Sequence, residues 1–219
     1  MTYSAPTYSE PGFWQAEILD ILFPRSPNLS TPASPDAELL RQLSFIPGLK
    51  ELLLTRQVHA LEHATVWVLS SMAGRSTSPN AINSESLGGL STERGFFLYG
   101  NLATVDVSRA VQIALRRITS GEGDLAVHPR CGTNLSVGLV LTAGLAIGAS
   151  AILPKDPIGQ LLGVGVAAMA AAHLTPELGA LAQRYITTAI PFNLAIANIS
   201  LKHDELGRAA HFVEVRWVE

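Results

Sequence analysis

The stretch CGTNLSVGLVLTAGLAIGASAIL, Cys131–Leu153, runs for 23 residues without a charged side chain. As a helix rising about 1.5 Å per residue it spans about 34 Å, enough to cross a bilayer core of about 30 Å with some tilt. Pro154-Lys155-Asp156-Pro157 then reads as a tight turn. Ile158–Thr175 is a second uncharged stretch, of 18 residues. Together they predict a transmembrane helical hairpin. A buried hairpin in a soluble protein is the alternative. Both arms carry small-xxx-small spacings, Gly144/Gly148 and Gly159/Gly163, which let helix backbones approach closely.

The rest of the composition agrees. Only 15% of the 219 residues are charged and the mean hydropathy is +0.27, an unusual pairing for a chain that meets only water. The net charge of −3, without a basic stripe interleaved with aromatics, argues against a nucleic-acid partner. The lone cysteine, Cys131, cannot form an intramolecular disulfide, which suits a reducing compartment. Arg116, Arg117 and Arg130 precede the hairpin and Arg184, Lys202 and Arg208 follow it, while its turn holds only Lys155. The positive-inside rule then places both termini on the cytoplasmic side. The opening MTYSAPTYSEPGFW lacks the features of a signal peptide, so insertion is expected from internal segments.

Outward from the hairpin, four regions are expected. Residues 1–35 read as a flexible segment and Pro/Ser linker, with a short amphipathic helix at 13–23. Residues 36–130 read as a cytoplasmic-side helical and αβ region. Helices are predicted at 36–45 and 49–73, separated by Pro47-Gly48 and with Gly74 as the stop, then a loop over 74–95. Strands are predicted near 95–107 and 124–128, and between them a helix at 107–119 capped by Asp106, with Val107, Val111, Ala114, Leu115 and Ile118 inward. Residues 131–175 are the hairpin. Residues 176–219 read as a peripheral or re-entrant helix pair broken at Pro191, then a C-terminal strand with Val213, Val215 and Trp217 on one face. The predicted class is an α+β membrane protein, mainly helical, with a transmembrane hairpin and a small antiparallel or mixed sheet.

Chemistry concentrates in two motifs. In His59-Ala60-Leu61-Glu62-His63 the two histidines and the glutamate stand at i, i+3 and i+4, on one helix face. Two imidazoles one turn apart can grip one Zn²⁺, and the carboxylate can take a proton from a water that the ion polarises. His-x-x-Glu-His is a known zinc-hydrolase pattern. With six His and twelve Glu in the chain, independent placement would produce it roughly 0.01 times. The plain alternative is a surface His pair beside an incidental carboxylate. A catalytic zinc wants three protein ligands and an open position. His128-Pro129-Arg130-Cys131-Gly132-Thr133 offers His128 or Cys131 as the third. Arg130 could clamp an oxygen or anchor the span, and Glu122 and Asp124 could orient His128. His173 is a weaker candidate; His203 and His211 read as surface residues.

The two motifs, the second running straight into a hydrophobic helix, resemble the YqhQ-like family of uncharacterised bacterial membrane proteins. The matching positions are His59, Glu62, His63 and His128–Thr133; the stretch between the motifs is longer here. The resemblance implies a metal-dependent membrane protein, and the family supplies no reaction. The expected function is a membrane-anchored zinc-dependent hydrolase, peptidase- or amidase-like, with Glu62 as general base. The alternative is a non-enzymatic assembly or scaffold protein with a structural metal or none. Membrane lipid is the expected partner, with other membrane subunits a further possibility.

Overall fold

The computed structural model describes residues 34–73 and 86–218; the predicted helix at 13–23 and the Gly74 stop lie outside them. The chain forms two compact units, one made of the segments up to Ala126 and from Thr188 onward, the other Val127–Thr187.

The first unit is a four-stranded antiparallel sheet with helices against one face. Its helices are α1 (Pro35–Gln42), α2 (Leu49–Ala73) and α3 (Thr104–Thr119), and its strands β1 (Gly88–Thr92), β2 (Gly95–Tyr99), β3 (Leu194–His203) and β4 (Ala209–Trp217), in the order β1-β2-β4-β3. The break between α1 and α2 falls where Pro47-Gly48 predicts it; Gly48 takes φ 79°, where a side chain would be strained. Ser34 caps α1, its hydroxyl accepting the Ala37 N–H at 3.2 Å.

Helix α2 is the centre of the core. Val58, Ala60, Leu61, Ala64, Val68 and Leu69 are all at most 2% exposed, so the apolar half after the histidines is buried within the protein. α3 turns Val107, Ala110, Val111, Ala114 and Ile118 inward, the predicted stripe with Ala110 added and Leu115 half-buried against the same core. Phe96, Leu98, Val213 and Val215 complete the same core from the sheet, and the β4 alternation is as expected. α2 is held in place by buried Gln57. Its amide donates to Asp36 at 2.6 Å and to Asn193 at 3.3 Å, and its oxygen accepts the Asn193 N–H at 3.1 Å. Asn193 also donates to the Val218 carbonyl, tying the C-terminal strand to the same knot.

Four local expectations need correction. Residues 124–128 are not a strand; Gly123–Ala126 is a single 3₁₀ turn. LATVDV is not a strand beyond Tyr99: α3 begins at Thr104 after Ala103, and Asp106 sits inside its first turn, where its charge suits the helix dipole. The 74–95 loop contains β1, whose GGLST lacks the apolar alternation that marks a strand; it forms because β2 pairs with it from Gly88↔Tyr99 to Thr92↔Gly95. Residues 177–201 are not a peripheral helix pair. The helix of the second arm runs on, and 194–203 is β3, whose register slips between Ile196 and Asn198. That bulge moves the apolar residues from one parity to the other, which hides the period of two.

Across the β3–β4 turn, Asp204 accepts the backbone N–H groups of Leu206 and Arg208, the Tyr99 hydroxyl at 2.8 Å and Arg208 Nε at 2.7 Å. Burial works against its charge, yet these bonds outweigh it and hold the carboxyl at about 2. Arg208 lies over the Tyr99 ring at 4.5 Å and Lys202 over Phe212 at 4.3 Å.

The second unit is the helical hairpin, α4 (Gly132–Ile152) and α5 (Pro157–Ala182), the latter continuing as a π-helical turn, Gln183–Thr187. Both helices are long enough and apolar enough to cross a membrane. Asp156 caps α5 by accepting the Gly159 N–H at 2.7 Å. Of the four glycines expected at the contact, only Gly163 lies there, against Ala149 and Leu153; Gly159 is in the capping turn, and Gly144 and Gly148 have open space beside them. Gly138, against Thr175, and Gly179, against Asn134, take their place. The reason is helical phase. At about 100° per residue, Ala149 returns to within about 20° of Gly138, whereas Gly144 and Gly148 fall about 80–120° away. Gly163→Ile should therefore lower the detergent-solubilised protein's thermal stability by about 1–3 kcal/mol, while Gly148→Ile leaves it nearly unchanged. Paired melting curves check this.

Candidate metal centre

His59, Glu62 and His63 share one face of α2, as their spacing requires. The two imidazole centroids are 4.3 Å apart, tilted by 59°. His63 is 3% exposed, and its Nδ1 stands 2.6 Å from the Ala126 carbonyl oxygen. A carbonyl only accepts, so Nδ1 carries the hydrogen and donates it. The Nε2 lone pair is then the one offered to a metal, the arrangement usual for a histidine ligand held by an outer partner. The 3₁₀ turn ending at Ala126 presents that carbonyl, and no local sequence pattern announces it.

Glu62 is 7% exposed. Its Oε2 accepts the Ser91 hydroxyl at 2.6 Å. Its carboxyl lies so close to Gly89 that a Cβ there would collide with it. Burial pushes the Glu62 carboxyl above its usual range, while the Ser91 hydrogen bond and the electrostatic interaction with His59 draw it part of the way back. Ser91 and Gly89 belong to β1, the strand missed as a loop, so neither was among the candidates.

In the hairpin unit, residues 128–134 form a tightly bonded turn. The His128 N–H donates to Gln183 Oε1 at 2.8 Å, Gln183 donates to Asn134 Oδ1 at 2.8 Å, and Asn134 donates to the Pro129 carbonyl at 2.8 Å. Gln183 is fully buried in the π-helical turn, an irregularity often found where side chains must be aimed. The Cys131 N–H returns to the His128 carbonyl at 3.2 Å. Cys131 caps α4, its Sγ accepting the Thr133 N–H at 3.3 Å. A helix N-terminus favours the thiolate, the form in which cysteine binds metal.

Among the described residues, His59 and His63 in the first unit offer two potential metal donors, and Cys131 in the hairpin unit offers a third. Two imidazoles and a thiolate are a donor set suited to a borderline-soft cation. His128 lies in the hairpin unit beside Cys131. Of the two residues expected to orient it, Glu122 has its carboxylate taken by Arg117, with Nε at 2.9 Å and 3.0 Å from its two oxygens. His173 and His203 are exposed. His211, expected on the surface, is 4% exposed; it faces the core from β4, bonds Thr104 at 3.0 Å, and burial lowers its pKa.

A domain of unknown function, DUF6391, matches residues 54–199, which include both motifs. The chain belongs to the DUF6391 family. It is also 53% identical over 188 residues to an uncharacterised protein of Picosynechococcus sp. (strain ATCC 27264 / PCC 7002 / PR-6), covering 86% of this chain and 92% of that one. No solved structure matches. DUF6391 brings no reaction with it, so the chemistry has to be argued from the side chains.

Proposed function

We propose that this protein is a membrane-anchored, zinc-dependent hydrolase acting on peptide- or amide-like bonds. His59 and His63 hold the ion, Cys131 completes a three-ligand set, and Glu62 is the general base. The hairpin of α4 and α5 crosses the membrane, with both termini on the cytoplasmic side and lipid around its exposed apolar surface. The YqhQ-like resemblance of the two motifs belongs to the same reading.

The observation that carries it is the hydrogen bond from His63 Nδ1 to the Ala126 carbonyl, because it prepares Nε2 as a ligand before any ion arrives. Two further features support it. A carboxyl raised above its usual range by burial is better matched to proton transfer near neutral pH than an exposed one. Chain continuity also limits how far the second motif can stray: His128 follows Ala126 by two residues and Cys131 by five, about 7 Å and 17 Å at full extension.

A scaffold role is the second reading. It is favoured by the side of α4 that carries Gly144 and Gly148, which has room for another membrane subunit. Elemental analysis of protein purified in detergent without chelator separates the two, followed by assay of the zinc-loaded protein on a peptide and amide library. Near-stoichiometric zinc with turnover supports the hydrolase. Zinc without turnover on any member supports a structural site, and no metal after zinc resupply overturns both metal roles.

A further inference from the structure

The two edges of the sheet differ. In the order β1-β2-β4-β3, β1 and β3 each pair on one side only. A bare edge is a row of N–H and C=O groups on which another strand can form, and proteins guard such rows with bulges and lysines. β3 carries both: its register slips between Ile196 and Asn198, and Lys202 lies along it. β1, Gly88–Thr92, pairs with β2 without a slip and has no charged side chain.

The register shows which groups point outward from β1. Its connection to β2 is the two-residue turn Glu93-Arg94, so Thr92 and Gly95, which flank it, exchange backbone hydrogen bonds. By alternation Leu90 and Gly88 also bond to β2, and the N–H and C=O of Gly89 and Ser91 turn to the open side. The far side of β2 agrees. There the Arg94 carbonyl accepts the Val215 N–H at 3.0 Å, so the even-numbered residues of β2 serve β4 and the odd-numbered ones serve β1. Among the described residues, no hydrogen bond takes up the backbone groups of Gly89 and Ser91. Gly89 is exposed.

Gly89 and Ser91 turn their Cβ side toward Glu62 on α2, so Leu90 and Thr92 face the side of the sheet away from the helices. With Phe97, Arg94, Leu206 and Arg208 they line a groove of about 640 Å³. Leu90 is 48% exposed. A strand added about 4.8 Å beyond β1 would set every second side chain over this face.

We infer that the β1 edge is a docking site for an extended peptide segment of a partner protein, apolar at alternate residues. Its backbone bonds the open groups of Gly89 and Ser91, and its apolar side chains enter the groove beside Leu90 and Phe97. The site lies wholly within the first unit. Binding there needs neither a metal nor cleavage.

The test uses full-length, metal-free protein in detergent and a heptapeptide library with Leu, Val or Phe at every second position. N-methylating the amides of a bound peptide that face β1 should weaken binding about tenfold or more, because each methyl removes a donor. Methylating the intervening amides should leave affinity nearly unchanged. Leu90→Lys, a charge at an exposed strand position, should weaken binding while the fold is kept. Hydrogen exchange should slow at the Gly89 and Ser91 amides when peptide is added, and stay the same along β3. A library without a binder, a binder indifferent to which amides are methylated, or protection at β3 instead of β1 would each overturn the inference. So would protection of Gly89 and Ser91 that grows with protein concentration in the absence of peptide, since the occupant would then be a second copy. With no ion present, each of these outcomes leaves the metal reading untouched.

Discussion

Replacing His59 by alanine should take the zinc-resupplied protein from about one equivalent of metal per chain to less than about a tenth. Cys131→Ser should do the same. Loss of an outer hydrogen-bond partner alone costs a metal site about ten- to a hundredfold in affinity, so loss of one ligand from a set of three should cost at least the upper figure. His59 is partly exposed, on the same face as buried His63, so shortening it leaves the core of α2 intact and should not unfold the chain. Far-ultraviolet circular dichroism would verify that. Glu62→Gln is the control. The Glu62 carboxyl is engaged by Ser91 at 2.6 Å, so its amide should retain the metal while abolishing any hydrolysis. Metal retained in His59→Ala, with the fold intact, would rule His59 out as a ligand.

In metal-free protein, Glu62→Gln should stabilise the fold at pH 8 and make little difference near pH 4. The sign follows from burial, which raises the Glu62 carboxyl above its ordinary value of 4.5. A group whose pKa rises on folding helps most where it is protonated in both states, below the unfolded value. That help is lost as pH climbs through the folded value. Above it, the wild type carries a desolvated charge that the amide lacks, while the amide oxygen can still accept from Ser91. Melting temperatures across pH 4–8 should therefore diverge with rising pH, by several degrees at the alkaline end. Zinc should narrow the gap, since a nearby cation favours the charged carboxylate. Parallel curves in the metal-free protein would show that Glu62 is not charged and buried as described.

The readable parts were those in which one segment decides its own structure. Twenty-three uncharged residues from Cys131 to Leu153 leave a helix little alternative, and the i, i+4 spacing of His59 and His63 dictates a shared face wherever the helix lies. Pro47-Gly48 breaks a helix by backbone sterics alone, and the β4 alternation is a period of two that any half-buried strand shows.

Other features depend on partners distant in sequence. β1 is a strand because β2 offers it a ladder, not because GGLST asks for one, and that pairing delivers Ser91 and Gly89 to Glu62. β3 was masked by its own bulge and by the apolar helix before it. The contact face of the hairpin was decided by phase between two helices, so Gly138 and Gly179 count and Gly144 does not. The sequence by itself determined which side chains bear ligand atoms and which helix carries the pair. Only the tertiary structure decided the tautomers: a carbonyl at Ala126 sets that of His63 and an N–H at Arg130 that of His128. A tautomer is chosen by the group opposite the ring, and at His63 that group is 63 residues away in the chain.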